Sequence, residues 1–93
     1  MLASTLLADK SKWTQGAPAR DAAGVEVSEH DKSAVCWSMY GVLGKVYPFP
    51  RNMQAYTVLY NHLIKVYGME GVQLFNDTHT HEEVVSILKE LKI

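Results

Sequence analysis

The chain contains a single cysteine, Cys36, among 93 residues, so no internal disulfide can form. A domain without that staple must be held by its apolar core. A lone thiol fits a reducing compartment, and the cytoplasm is the expected location. No apolar run approaches the roughly 18–20 residues needed to span a bilayer, so no membrane contact is expected. The opening stretch from Met1 to Ala8 is apolar but brief and has no basic residues ahead of it. It reads as a helix rather than a secretory signal. Charge of one sign is also missing, with 9 basic against 10 acidic residues and a net charge of -1. A nucleic-acid binder usually shows a basic stripe, and that partner class is disfavoured here. The densest basic pair, Lys10 and Lys12, sits beside Asp9, and the segment after Pro50 offers only Arg51 and Lys65 as phosphate contacts. There is no glycine-rich phosphate loop, no Cys-x-x-Cys and no His-Glu-x-x-His. Their absence argues against a nucleotide-driven enzyme and a metallopeptidase.

What remains is the composition of an ordinary globular protein, 47% hydrophobic and 20% charged, which suits one domain spanning residues 1–93. The expected fold is mainly α, a compact domain of four helices with a short β-hairpin between the first two. The first helix is expected from Ala3 to about Lys12, closed by Trp13. Gly16, Pro18 and Gly24 interrupt any helical period in the next segment. A turn at Asp21-Ala22-Ala23-Gly24 would there pair Ala19–Arg20 with Val25–Val27. Ser28 and Asp31 resemble a weakened capping box, and the spacing predicts a buried helix from about Glu29 to Val46. Gly41 and Gly44 weaken that helix by about 1 kcal/mol each relative to alanine, and close approach by another backbone is their expected compensation. Pro48-Phe49-Pro50 ends it. The third helix runs from Arg51 or Asn52 to about Tyr67, with Gly68 as its terminator. Residues 69–77 read as a short mixed stretch. Thr80-His81-Glu82-Glu83 is a Thr-x-x-Glu capping box ahead of Val84, Ile87, Leu88 and Leu91, the clearest helix start in the chain.

Few residues could carry chemistry. His79 and His81 form a His-x-His pair that Asp77 or Glu83 could extend, but His30, Cys36 and His62 are scattered. The ligand count falls short of a zinc site, and neither metal nor cofactor is expected. Asn76-Asp77 at a loop-to-helix junction could orient a ligand together with His79; the favoured reading is local, an Asx turn satisfying nearby backbone. Cys36 reads as a small buried hydrophobe rather than a nucleophile, and no strained elbow surrounds Ser33 or Ser38. The protein is therefore expected not to be an enzyme. Trp13, Gln15 and Arg20 form either a recognition loop, since Trp and Arg are favoured at binding hot spots, or a core plug with a solvated strand end. Tyr56, Tyr60 and Tyr67 form an aromatic ladder at helical spacing, partner-facing or half-buried packing.

Trp13 followed by Gly16, Trp37 with Gly41-Val42-Leu43, and Phe75-Asn76-Asp77 with Thr80-x-x-Glu83-Val84 together resemble a family of short bacterial and phage proteins of unknown function. The pieces span nearly the whole chain in the same order. One departure concerns the position after the aromatic Trp37, where the family pattern has cysteine and this chain has Ser38, which argues against thiol chemistry. The resemblance implies no activity, only the context of small proteins of mobile or viral genomes that act by binding. The expected function is accordingly a protein-binding module, such as a phage-encoded inhibitor of a host or defence protein, with anchors among Trp13, Arg20, Tyr56 and Tyr60. The alternative is a small-molecule or nucleotide sponge. It would work as a homo-oligomer, because so small a chain encloses little volume, with ligand held between subunits near Asn76, Asp77 and His79.

Overall fold

The strongest local signals lie in the second half of the chain, and there the computed structural model, which describes residues 1–93, follows them closely. Thr80 caps a helix at His81–Glu90. Its hydroxyl accepts from the Glu83 N–H at 3.2 Å, and the Glu83 carboxylate accepts from the Thr80 N–H at 2.9 Å. That backbone donor, with the Thr80 hydroxyl, holds the Glu83 carboxyl below its ordinary value. The helix at Arg51–Tyr67 stops at Gly68, whose left-handed φ of 67° lets its N–H close on the Ile64 carbonyl.

The first half departs from expectation. The helix expected from Glu29 to Val46 is a strand followed by a shorter helix. Ser28 and Asp31 do not open a helix. Their side chains accept from the His30 and Ser33 N–H groups and close local turns instead. Ala34–Trp37 then runs as a strand, the conformation that β-branched Val35 and aromatic Trp37 favour. The helix begins only at Ser38, whose hydroxyl accepts from the Gly41 N–H at 3.0 Å, and spans Met39–Val46. The first helix is also shorter than expected. It ends at Leu7, and a 3₁₀ turn at Lys10–Lys12 follows, capped by Asp9. Val72–Thr78, expected to be irregular, is helical, and its cap residue Gly71 offers no side chain to announce the start.

The chain thus carries five α-helices: α1 Ala3–Leu7, α2 Met39–Val46, α3 Arg51–Tyr67, α4 Val72–Thr78 and α5 His81–Glu90. Three strands, β1 Ala19–Asp21, β2 Glu26–Val27 and β3 Ala34–Trp37, form one antiparallel sheet in the order β2-β1-β3. Ala19 stands opposite Val27 on one side and Trp37 on the other. The expected count of four helices with a lone hairpin is therefore corrected to five helices and a three-stranded sheet. The third strand comes from the segment whose turn-forming side chains prevent a longer helix. No helix is long and apolar enough to cross a membrane.

Helix α2 is the centre of the packing. It touches α1, α3, α4 and β3, and it buries Met39, Val42 and Leu43. The N–H of Ser38 donates to the Pro18 carbonyl at 3.0 Å, which brings that carbonyl against the first turn of α2 at Gly41. A Cβ on Gly41 would lie 2.0 Å from the Pro18 oxygen, so the expected close backbone approach is real at this position. At Gly44 the neighbour is instead the Glu29 side chain, 3.1 Å from a would-be Cβ. The end of α2 ties the two chain ends together. The Tyr47 hydroxyl accepts from the Ala3 N–H at 3.2 Å and donates to the Ile93 oxygen at 3.0 Å.

These two glycines give a paired prediction. Gly41→Ala forces two backbones apart and should lower stability by about 3 kcal/mol. Gly44→Ala meets only a flexible side chain and gains helix propensity, so it should stay within about 1 kcal/mol of the parent. Urea denaturation followed by tryptophan fluorescence reads both, and equal losses would contradict the Pro18 contact.

Candidate functional site

Five of the seven candidate residues read from the sequence lie in one hydrogen-bonded web between the Trp13–Arg20 segment and α4. Asn76 is its centre. The residue is fully buried, and its Oδ1 accepts from Trp13 Nε1 at 2.7 Å and from the Met39 N–H at 2.9 Å. Its Nδ2 donates to the Thr14 carbonyl at 3.0 Å and to Asp77 Oδ1 at 3.1 Å. Both amide ends are thus used, on partners 37 to 63 residues away as well as on the adjacent Asp77. The favoured sequence reading, a local Asx turn, is corrected: Asn76 joins distant elements.

Asp77 extends the web outward. Its Oδ1 also accepts from the Gly16 N–H at 2.8 Å and from Gln73 Nε2 at 2.9 Å. Gln73 in turn accepts from the Ser38 hydroxyl at 2.9 Å. Gln15 closes the other end of α4. Its Nε2 donates to the Asn76 and His79 carbonyls, which a helix C-terminus otherwise leaves without partners. Arg20 is equally committed, donating to Thr14 Oγ1 and to the carbonyls of Gln15 and Gly24. Trp13 is half-buried, and its ring meets His81 at 5.5 Å.

The two histidines face different neighbours. His79 stacks on Phe75 at a centroid distance of 3.7 Å, and its Nδ1 lies 3.0 Å from both the Phe75 carbonyl and the Thr78 hydroxyl. His81 places Nε2 on the Leu7 carbonyl. No three His, Cys, Asp or Glu side chains converge anywhere in the structure. Cys36 is half-buried in β3 with its Sγ 3.8 Å from the Arg20 carbonyl.

Tyr56 and Tyr60 lie elsewhere, half-buried on α3, and the structure adds Tyr40, which lies within the stretch expected to form a buried helix. Tyr40, in the first turn of α2, is 46% exposed. Its ring meets Tyr56 edge-on at 5.8 Å, and Tyr56 stacks on Tyr60 at 5.9 Å. A cleft lies on each side of the Tyr40–Tyr56 pair. One, of about 380 Å³, is lined by Glu29, Leu43, Gly44, Asn52, Met53 and Thr57 besides the two rings. The other, of about 350 Å³, is lined by the Gly16–Pro18 backbone, Val72, Gln73 and Leu74 besides the same rings. Met53 and Leu74 are 57% and 55% exposed. Asn52 contributes an unusual atom. Its side-chain oxygen is buried and has no hydrogen-bond partner within the protein. Tyr40 shares helical spacing with Leu43 and Tyr47, which are buried, but lies at the margin of that stripe and is its exposed member.

The web and the tyrosine face respond differently to substitution. Asn76→Ala leaves the Trp13 indole N–H, the Met39 N–H and the Thr14 carbonyl without partners. It should cost about 3 kcal/mol or more, a large share of the roughly 5–15 kcal/mol such a domain has. Thermal unfolding by circular dichroism checks this, and a loss under about 1 kcal/mol would contradict the role given to Asn76.

No curated protein and no solved structure matches this chain. A family model does match, described as a family of unknown function, DUF6197, and it covers residues 1–92. The order of pieces from Trp13 and Gly16 through Trp37 and Gly41 to Asn76, Asp77 and the Thr80 capping box is thus carried on a match over nearly the full length, and the chain belongs to the DUF6197 family of unknown function.

Proposed function

We propose that the protein is a non-catalytic binding module that docks another protein on the face around Tyr40, Tyr56 and Tyr60. The observation that carries this is the pair of adjacent clefts separated by the Tyr40–Tyr56 rings and bordered by exposed Met53 and Leu74. Tyrosine and methionine are enriched at protein interfaces, where a large apolar body with few rotamers gives contact area at low entropic cost. The clefts provide sockets for a partner's side chains, the form that interface hot spots commonly take.

Of the anchors expected from the sequence, the reading keeps Tyr56 and Tyr60 and adds Tyr40. Trp13 and Arg20 already hold internal partners, so they serve by fixing the Gly16–Pro18 wall of the second cleft. A sponge with ligand between subunits at Asn76, Asp77 and His79 would have to compete with the four hydrogen bonds Asn76 makes inside the fold. Protein docking needs no such exchange. The protein would then act by covering a surface of its partner, as an inhibitor does.

The test is capture of a partner with tagged protein, followed by comparison of surface variants. Met53→Asp and Leu74→Asp each place a charge beside a cleft and should abolish the complex. As exposed substitutions they should change stability by only about 0.5 kcal/mol. Val25→Asp, in the exposed turn between β1 and β2, should leave the complex intact. A captured partner that tolerates both cleft variants and is lost with Val25→Asp would place the docking surface on the sheet instead.

A further inference from the structure

We infer that the cleft beside Glu29 receives a basic side chain, lysine or arginine, from the docked protein; this rests on the docking reading above. The Glu29 side chain is only 24% exposed. It is laid against α2 at Gly44, where a Cβ would stand 3.1 Å from its Cγ. The carboxylate has no lysine or arginine partner. Its one basic neighbour is His30, at 3.6 Å and 66% exposed. Lys45, next to Gly44, instead sends its ammonium over the Trp37 ring at 5.4 Å. A half-shielded carboxylate without a permanent counter-ion therefore forms part of the cleft wall.

The rest of the lining suits the same occupant. Tyr40 and Tyr56 present aromatic rings, whose faces attract cations. Ammonium and guanidinium groups bring donors only, which suits a wall that carries the Glu29 carboxylate. A guanidinium has the further advantage that its plane stacks on a tyrosine ring while its edge pairs with a carboxylate. An anionic side chain would face Glu29, and a purely apolar one would cover the carboxylate without pairing it, which is costly.

The cleft also continues past the tyrosine pair. Across those rings the second cleft offers Pro18, Val72 and Leu74. A neighbouring apolar residue of the same partner segment fits there, so the two sockets together select a basic residue next to an apolar one. This is why the occupant is a side chain of a protein rather than a free cation.

Titration of ¹⁵N-labelled protein with capped single amino acids separates the inference from the docking reading. The probes are the N-acetyl methylamides of arginine, lysine, citrulline and leucine. Arginine and lysine should give saturable shifts at Gly44, Asn52, Met53 and Tyr56. Citrulline, which keeps the shape of arginine and lacks its charge, should bind at least about fivefold more weakly. Glu29→Gln, with an unchanged spectrum away from the cleft, should weaken arginine by a similar factor. Citrulline binding as well as arginine, or arginine unaffected by Glu29→Gln, would overturn the charge recognition. Leucine shifting Val72 and Leu74 while neither cation shifts the first cleft would overturn the inference and leave docking standing. No response in either cleft to any probe would overturn both.

Discussion

The buried side-chain amide of Asn76 is the interaction on which the other elements depend. An amide out of reach of water must find partners for both its oxygen and its nitrogen, or the fold loses more than the core gains there. Here those partners come from three stretches that share no local sequence: Trp13 and Thr14, the first turn of α2 at Met39, and the neighbouring Asp77. Satisfying the amide sets the place of the Trp13–Arg20 segment against α2 and α4. The other two buried polar residues also join distant elements. Ser38 joins α2 to Gln73 on α4, and Ser4 joins α1 to the Ile93 oxygen.

This arrangement divides the molecule into a side that is internally bonded and a side that is open. On the first, Arg20 donates to the Gln15 carbonyl, Gln15 to the His79 carbonyl, and Asp77 accepts from Gly16, Gln73 and Asn76. On the second, Tyr40, Tyr56, Met53 and Leu74 border clefts with sockets to offer. The two are linked through the Gly16–Pro18 strip. Its glycine N–H is held by Asp77, and its proline carbonyl is held by Ser38 against Gly41. The same strip forms a wall of the second cleft. A polar network that fixes backbone position thus also shapes a surface for recognition, and preformed sockets reduce the ordering cost of binding.

Helices whose ends are written in side chains were legible in the sequence. The Thr80 box, the Gly68 terminator and the Pro48-Phe49-Pro50 stop each act within four residues, so their meaning does not depend on the rest of the chain. Family membership was legible too, from the ordered tryptophan, glycine and Asn-Asp pieces. Elements whose nature depends on distant partners were not. Val35 and Cys36 fall at helical spacing with Met39 and Tyr40, yet they form a strand because β1 lies alongside to pair with it. The α4 helix starts at a glycine, with no capping side chain to mark it. The candidate site divides in the same way. Asn76, Asp77, Trp13 and Arg20, read in the sequence as candidate binding residues, hold hydrogen-bond partners inside the fold. Tyr40 was hidden because helical spacing groups it with the buried Leu43 and Tyr47, and only the packing of α2 on its neighbours shows where the buried stripe ends.

Native-state hydrogen exchange by NMR tests the central claim, that the Asn76 amide is the point at which the fold is locked. The Trp13 indole N–H and the Met39 amide both donate to Asn76 Oδ1. Both should exchange only through global unfolding, with the same free energy as the slowest amides of α5. The Trp37 indole, which donates to the Glu29 carbonyl at the edge of the sheet, should open more easily. Exchange of the Trp13 indole and the Met39 amide through local opening, several kcal/mol below the global value, would show that the Asn76 web is peripheral and contradict the account.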